Sequence, residues 1–189
     1  MIRQIPYRNP ISQSDRNPIP QARSSTMSIA LEDMSPYARS VVSSLGLQEH
    51  PEGGWYTRDW ASPIDGNIGG RPLASLIYFL LPAGDASAWH KVDADEIWLW
   101  HGPANVTLEL GGSGDAPAAD AGQRRTVVLG TGLRGGDEAG RGAAPSAAAP
   151  VGHAIVPAGV WQRTVPGAGD ALVSCVVSPG FTFEGFTLQ

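Results

Sequence analysis

Apolar residues in this chain gather in short runs separated by Gly, Pro and small polar residues, the punctuation expected of an all-β fold. Leu73–Leu81 is apolar except for Ser75, which predicts a strand covered on both faces. Ala104–Leu110 alternates Ala, Val, Leu and Leu with Asn, Thr and Glu, the period of a half-buried strand. Further strands are predicted starting at Trp55 and over Ile97–Trp100, Arg124–Leu129, Gly152–Val156, Val160–Thr164, Ala171–Ser178 and Phe181–Leu188. One stretch repeats at helical spacing instead. Tyr37, Val41, Val42 and Leu45 form an apolar face, Ser35 is placed to cap the start, Pro36 suits the first helical position, and Gly46 suits the residue past the end. About eight short strands and one N-terminal helix predict a sandwich or barrel, with the helix on the outside of a sheet. No repeat recurs at the ~20–50 residues of solenoids and propellers, so those are excluded.

Composition sharpens this reading in a few places. The 189 residues suit a single domain with a real core. Met1–Thr26 carries Arg3, Arg8, Arg16 and Arg23 against Asp15 alone, with Pro6, Pro10, Pro18 and Pro20 preventing a helix. Residues 1–26 are therefore expected to be a disordered extension and 27–189 the domain. Leu133–Pro150 is low-complexity Gly, Ala and Pro, expected to be a flexible loop. The net charge of −5, without a Lys/Arg cluster, gives no footprint for nucleic acid. No apolar run approaches the ~20 residues of a membrane span. The single Cys175 excludes an internal disulfide and suits a reducing, cytoplasmic setting; inside the apolar run Ala171–Val177 it reads as a buried, inert thiol.

The candidate chemistry lies in Gly84–Gly102, where His90 and Glu96 interrupt the most apolar part of the sequence. With a turn at Ala94 and Asp95, alternation lets His90, Val92 and Glu96 face one interior. Glu52, beside Gly53-Gly54 and the aromatics Trp55 and Tyr56, either lines a pocket or sits in a tight exposed turn. Arg71, before the strand run, is either a solvent-facing cap or an anion contact. No P-loop or dinucleotide fingerprint is present.

These residues resemble the two motifs of the cupins, double-stranded β-helix or jelly-roll barrels. The first motif, G-x5-H-x-H-x3,4-E-x6-G, is approached by Gly84, His90, Val92, Glu96 and Gly102, with valine for the second histidine and one residue fewer before the final glycine. The second, G-x5-P-x-G-x2-H-x3-N, is approached by Gly152, Pro157 and Gly159, with Gln162 for the histidine and Val165 for the asparagine. The stretches LGLQEHPEGGWY, SLIYFLL, SAWHKVDADEIW, VPAGVWQ and SCVVSPGFTFEGF resemble the DUF985 or cupin-5 family, described as sugar-epimerase-like, over about Leu45–Leu188.

The resemblance implies a cupin jelly-roll barrel, all-β with one N-terminal helix, holding a small polar, carbohydrate-like ligand, and a homodimer covering its strand edges. A metal-binding cupin uses two His and a Glu from the first motif and a His from the second. Here His90, Glu96 and Gln162 are what remain of that set, so a divalent metal is not expected. His101 and His153 lie off the motif positions. The metal-free alternative resembles dTDP-sugar 3,5-epimerases, with His90 as base, Glu96 orienting it and Tyr56 as acid. A metal-dependent dioxygenase or isomerase and a non-enzymatic binding cupin stand as alternatives. Expected pocket residues are Glu52, Trp55, Arg71, Trp89, Trp98, Trp100, Trp161 and Gln162, the indoles for stacking on a sugar ring and the polar groups at the mouth. In the plainest reading His90 and Glu96 only hydrogen-bond each other and the backbone.

Overall fold

The helix is fixed at both ends by the residues its sequence offers. In the computed structural model, which describes residues 28–67, 69–131 and 149–189, helix α1 spans Pro36–Leu45. The Ser35 hydroxyl accepts the Ala38 N–H at 3.0 Å, and Gly46 closes the helix at φ +66°. The buried face is Ala38 and Val42, packed with Met34, Leu47 and Leu80 and flanked by Val41 and Leu45. Tyr37 departs from the expected apolar face: it is 43% exposed, because Ala38 takes the inward position one residue later. The expected extension over residues 1–26 and most of the loop over 133–150 lie outside the described residues.

Eleven strands follow among the described residues: β1 Gln48–Glu49, β2 Trp55–Ala61, β3 Ser75–Leu81, β4 His90–Val92, β5 Asp95–Pro103, β6 Val106–Leu110, β7 Arg125–Leu129, β8 His153–Val156, β9 Gln162–Val165, β10 Ala171–Ser178 and β11 Phe186–Leu188. The sequence predicts about eight. It misses β1, and β4 as a strand separate from β5, because both are too short to show alternation. Phe181–Leu188 is not one strand either, since a turn of 3₁₀-helix at Phe183–Gly185 precedes β11.

The strands form two sheets, β1-β2-β3-β10-β5-β8 and β11-β4-β9-β6-β7, every named pair antiparallel. This is the jelly-roll layering the sequence predicts. Register carries the inward residues of the larger sheet into rows. Ser75, Val177 and Glu96 stand side by side, then Ile77, Cys175 and Trp98, then Phe79, Val173 and Trp100. The lower rows meet Val106, Leu108, Leu110 and Leu129 of the other sheet and close into the main core. The upper rows face a cavity. One end of the barrel is filled, and the other is open.

Asp170, just before β10, joins helix to barrel. One carboxylate oxygen accepts the Ser35 hydroxyl, the other accepts the Ala83 N–H at 2.9 Å, and its carbonyl accepts the Ala104 N–H at 3.0 Å. No helix among the described residues is long and apolar enough to cross a membrane.

Candidate functional site

The open end encloses a cavity of about 670 Å³, within the ~300–1,000 Å³ of small-molecule sites. Its polar wall begins at the turn between β1 and β2. Gly53 at φ +103° and Gly54 at φ +71° adopt backbone that other residues rarely tolerate. A Cβ on Gly54 would stand 2.7 Å from the Phe79 ring, and one on Gly53 would strike the Ala86 carbonyl. Only glycine lets this turn press against the barrel. That packing carries His50 and Glu52 inside, 8% and 6% exposed, beside the β4 residue His90 at 2%.

The three side chains form one cluster. Glu52 Oε2 lies 3.5 Å from His50 Nδ1 and 3.3 Å from His90 Nδ1. His90 Nδ1 is also 2.8 Å from the Ala88 carbonyl, which can only accept, so this nitrogen carries the proton and Nε2 the lone pair. The Glu52 backbone N–H donates to His50 Nδ1 at 3.4 Å, so His50 has the opposite tautomer, with its proton on Nε2. Neither Nε2 has a hydrogen-bond partner among the described residues. No buried side-chain nitrogen or oxygen there is left unpartnered, so both nitrogens open to the cavity their rings line.

Burial favours the neutral form of each group. It lowers His50 to about 3, assisted by His90, and lowers His90 to about 4 against the opposing Ala88 hydrogen bond. It pushes the Glu52 carboxyl well above its usual range, with Glu96 adding to the rise. The cavity thus presents one imidazole lone pair, one imidazole N–H and, bridging them, a carboxyl that burial shifts toward its protonated form.

Glu96 is placed otherwise than the sequence suggests. It does not orient His90; Glu52 does. Glu96 accepts from the Gln162 amide at 2.5 Å and from the Cys175 thiol, while burial raises its carboxyl against both hydrogen bonds. The Gln162 oxygen accepts the Trp98 indole N–H at 2.9 Å. Indole nitrogen can only donate, so Trp98 fixes which way the amide points. Gln162 is therefore a buried floor strut and not a group at the mouth. Cys175 is 2% exposed and its thiol is pushed well up by burial, which keeps it in the unreactive form.

The donor set does not fit the metal that the fold class suggests. Val92 offers no ligand and the Gln162 oxygen is engaged by Trp98, so of the four cupin ligand positions only His90, through Nε2, and Glu96 can donate. Among the described residues no three His, Cys, Asp or Glu groups converge as a metal site. His101 lies at the other end of β5, 2.6 Å from the Ser174 hydroxyl, and His153 is exposed on β8.

The tryptophans do not line the cavity. Strand parity explains three of them, since Trp55, Trp89 and Trp161 each neighbour an inward residue and so point outward. Trp55 donates to the Ile29 carbonyl beside α1, and Trp89 lies under Arg124 and Arg163 at 5.3 and 4.8 Å. Trp161 lies under Lys91 at 4.8 Å. Trp98 and Trp100 point inward but below the cavity, into the core. The aromatic wall is made by phenylalanine instead. Phe186 lies 5.7 Å from the His90 ring and 6.0 Å from His50, with Phe181 and Phe183 packed behind it. Tyr56 sets its ring edge against His50 at 4.5 Å, and its hydroxyl accepts from Gln48 at 3.3 Å.

Arg71 lines the mouth with every arm engaged. It donates to both Asp93 oxygens at 3.0 and 2.9 Å and to the Gly180 and Pro179 carbonyls at 2.7 and 3.1 Å. It clamps two loops and has no free fork for an anion. Arg58, which the sequence reading passes over, also lines the cavity.

Comparison with known proteins agrees with this architecture. The sequence matches Cupin_5, described as "Cupin superfamily (DUF985)", over residues 39–189. Among solved structures, protein SO0799 from Shewanella oneidensis is 31% identical with a TM-score of 0.63, covering 80% of this chain and 84% of that one. A hypothetical protein from Leishmania major is 28% identical with a TM-score of 0.61, covering 80% and 86%. No curated protein matches the sequence.

Proposed function

Starting from a chain that belongs to the DUF985 family of the cupin superfamily, we propose that the barrel binds a small, sugar-like molecule and shifts a proton beside its carbonyl without a metal. The observation that carries this is the pair of imidazoles in opposite tautomers, bridged by Glu52. His90 Nε2 removes the proton from the carbon next to the carbonyl. His50 Nε2–H gives its proton to the carbonyl oxygen, and the substrate becomes an enol. His90 passes its Nδ1 proton to Glu52 Oε2 as Glu52 passes its own to His50 Nδ1, so all three groups end neutral. Running the steps backwards returns a proton from His90 Nε2 to the same face of the carbon, so the cluster exchanges that hydrogen with solvent. Water is displaced by the phenylalanine wall, where charge transfer between fixed dipoles needs little reorganisation. Tyr56 holds the His50 ring in place, and the acid role falls to His50, at the carbonyl oxygen.

The test is deuterium exchange in D2O. Glucose, mannose, fructose and their acidic derivatives are followed by proton NMR with the wild type and with His90→Gln. The expected result is exchange at the carbon next to the carbonyl, slowed about 10²–10⁴-fold by the substitution while the thermal midpoint is kept. Undiminished exchange in His90→Gln rejects His90 as base. Saturable binding with no exchange makes the barrel a binding module.

A further inference from the structure

Two arginines line the cavity, and their surroundings differ. The guanidinium of Arg71 is saturated by Asp93 and two carbonyls, as described above. Arg58 makes one hydrogen bond, from Nη2 to the Phe181 carbonyl at 3.2 Å, and no ion pair among the described residues. Its Nε and Nη1 are uncommitted there. Arg124 and Arg163 both reach Glu109 on the outer face, so Arg58 is the cavity arginine left with its charge unbalanced.

The backbone at this point is also specialised. The register between β2 and β3 shifts between Arg58 and Trp60, a bulge of the kind that re-aims a side chain beside a binding site. Tyr56 and Arg58 share the inward parity of β2, and both line the cavity that holds His50 and His90. The Phe181 carbonyl then fixes one edge of the guanidinium and leaves the other edge for a ligand. A planar fork with free N–H groups matches the oxygens of a phosphate or carboxylate.

Two of the three carboxyls that line the cavity are shifted by burial toward their neutral form. Burial favours the protonated carboxyl of Glu52 and raises that of Glu96, while Glu184 is exposed at the rim. A half-buried guanidinium without a counter-ion carries a desolvation cost that an incoming anion offsets.

We infer that the ligand is an anion, a sugar or similar polyol bearing a phosphate or carboxylate, and that Arg58 grips its charged group. The inference rests on the cavity being a ligand site and does not depend on proton transfer at His90. The cavity, at about 670 Å³, has room for a monosaccharide.

Calorimetric titration at fixed ionic strength tests it, with glucose 6-phosphate, glucuronate and glucose as probes. The expected result is that one acidic sugar binds the wild type at least ~10-fold more tightly than glucose, and that Arg58→Gln loses this preference, weakening ~10–100-fold as for a charged hydrogen bond. Arg58→Lys should restore part of it, and added salt should weaken it. The phosphate and carboxylate arms identify which group is read. Equal or tighter binding of glucose, undiminished acid binding by Arg58→Gln, or no binding of either acid overturns the inference. Failure of the proton-transfer reading has a different signature: acid binding is retained and deuterium exchange is absent.

Discussion

The two ends of the barrel use the same strands and the same alternation, yet one is a core and the other an open cavity. Along β3 the inward residues run Ser75, Ile77, Phe79, Leu81; along β10 they run Val177, Cys175, Val173, Ala171. Apolarity increases away from the mouth on β3, and β5 repeats the gradient from Glu96 to Trp98. At the filled end, side chains meet across the barrel and exclude water. At the open end, smaller and polar groups stop short of one another and leave about 670 Å³. The boundary is the hydrogen-bonded chain Trp98–Gln162–Glu96, where an indole on the core side fixes an amide and, through it, a carboxyl on the cavity side. A barrel is thus divided by side-chain volume and hydrogen-bond direction, with no extra backbone element.

The largest expected effect comes from breaking the filled end. Leu108 is fully buried there, and Leu108→Ala should cost about 2–5 kcal/mol through lost transfer energy and the void left behind. Urea unfolding reads this as a lower midpoint, and sugar binding scaled to the folded fraction should be unchanged. If binding is lost along with stability, the two ends are not separate units.

An intermediate effect, through pH, sharpens the contrast because the buried titrating cluster lies at the open end. His50 and His90 have folded values of about 3 and about 4 against 6.5 when unfolded, so the unfolded chain binds more protons on acidification. Their contribution is present above pH 6.5 and is lost as pH falls from 6.5 toward 4. Glu52 is raised above its unfolded 4.5, so its contribution is present below that value and is lost as pH rises through the folded one. Glu52→Gln removes the Glu52 share of the alkaline loss and leaves the shares of Glu96 and Asp85. Unfolding midpoints measured from pH 4 to pH 9 should therefore fall less steeply above pH 5 in Glu52→Gln than in the wild type, with the acid limb retained. Parallel curves would show that Glu52 keeps an ordinary carboxyl.

The smallest effect belongs outside both ends. Tyr37→Ser, on the exposed flank of α1, should change stability by no more than about 0.5 kcal/mol. A larger loss would show that Tyr37 packs against something beyond the described residues.

What was legible in the sequence was local. Ser35, Pro36 and Gly46 act within one turn of the helix they bound, and the runs forming β3 and β10 show their burial directly. His90 and Glu96 could be found because their strand spacing places them on one face. His50 could not, since its role depends on a glycine turn folding against Phe79 and Ala86, far away along the chain. The two adjacent glycines were the available signal. The number of tryptophans says nothing of their direction: His90 inward requires Trp89 outward, and Gln162 inward requires Trp161 outward. Arg71 and Arg58 were not separable by sequence, because only the folded loops show that Asp93 and the Gly180 and Pro179 carbonyls occupy one of them.

Asp170 has a consequence for how the molecule comes apart. Its carboxylate holds the first residue of the helix cap and the turn leaving β3, while its own backbone links the strand that carries Cys175 to the loop before β6. Peeling the helix away therefore leaves one Asp170 carboxylate oxygen without its donor and uncovers Leu80 in the same motion. Local fraying is discouraged at this corner, and helix and barrel open as a single cooperative unit.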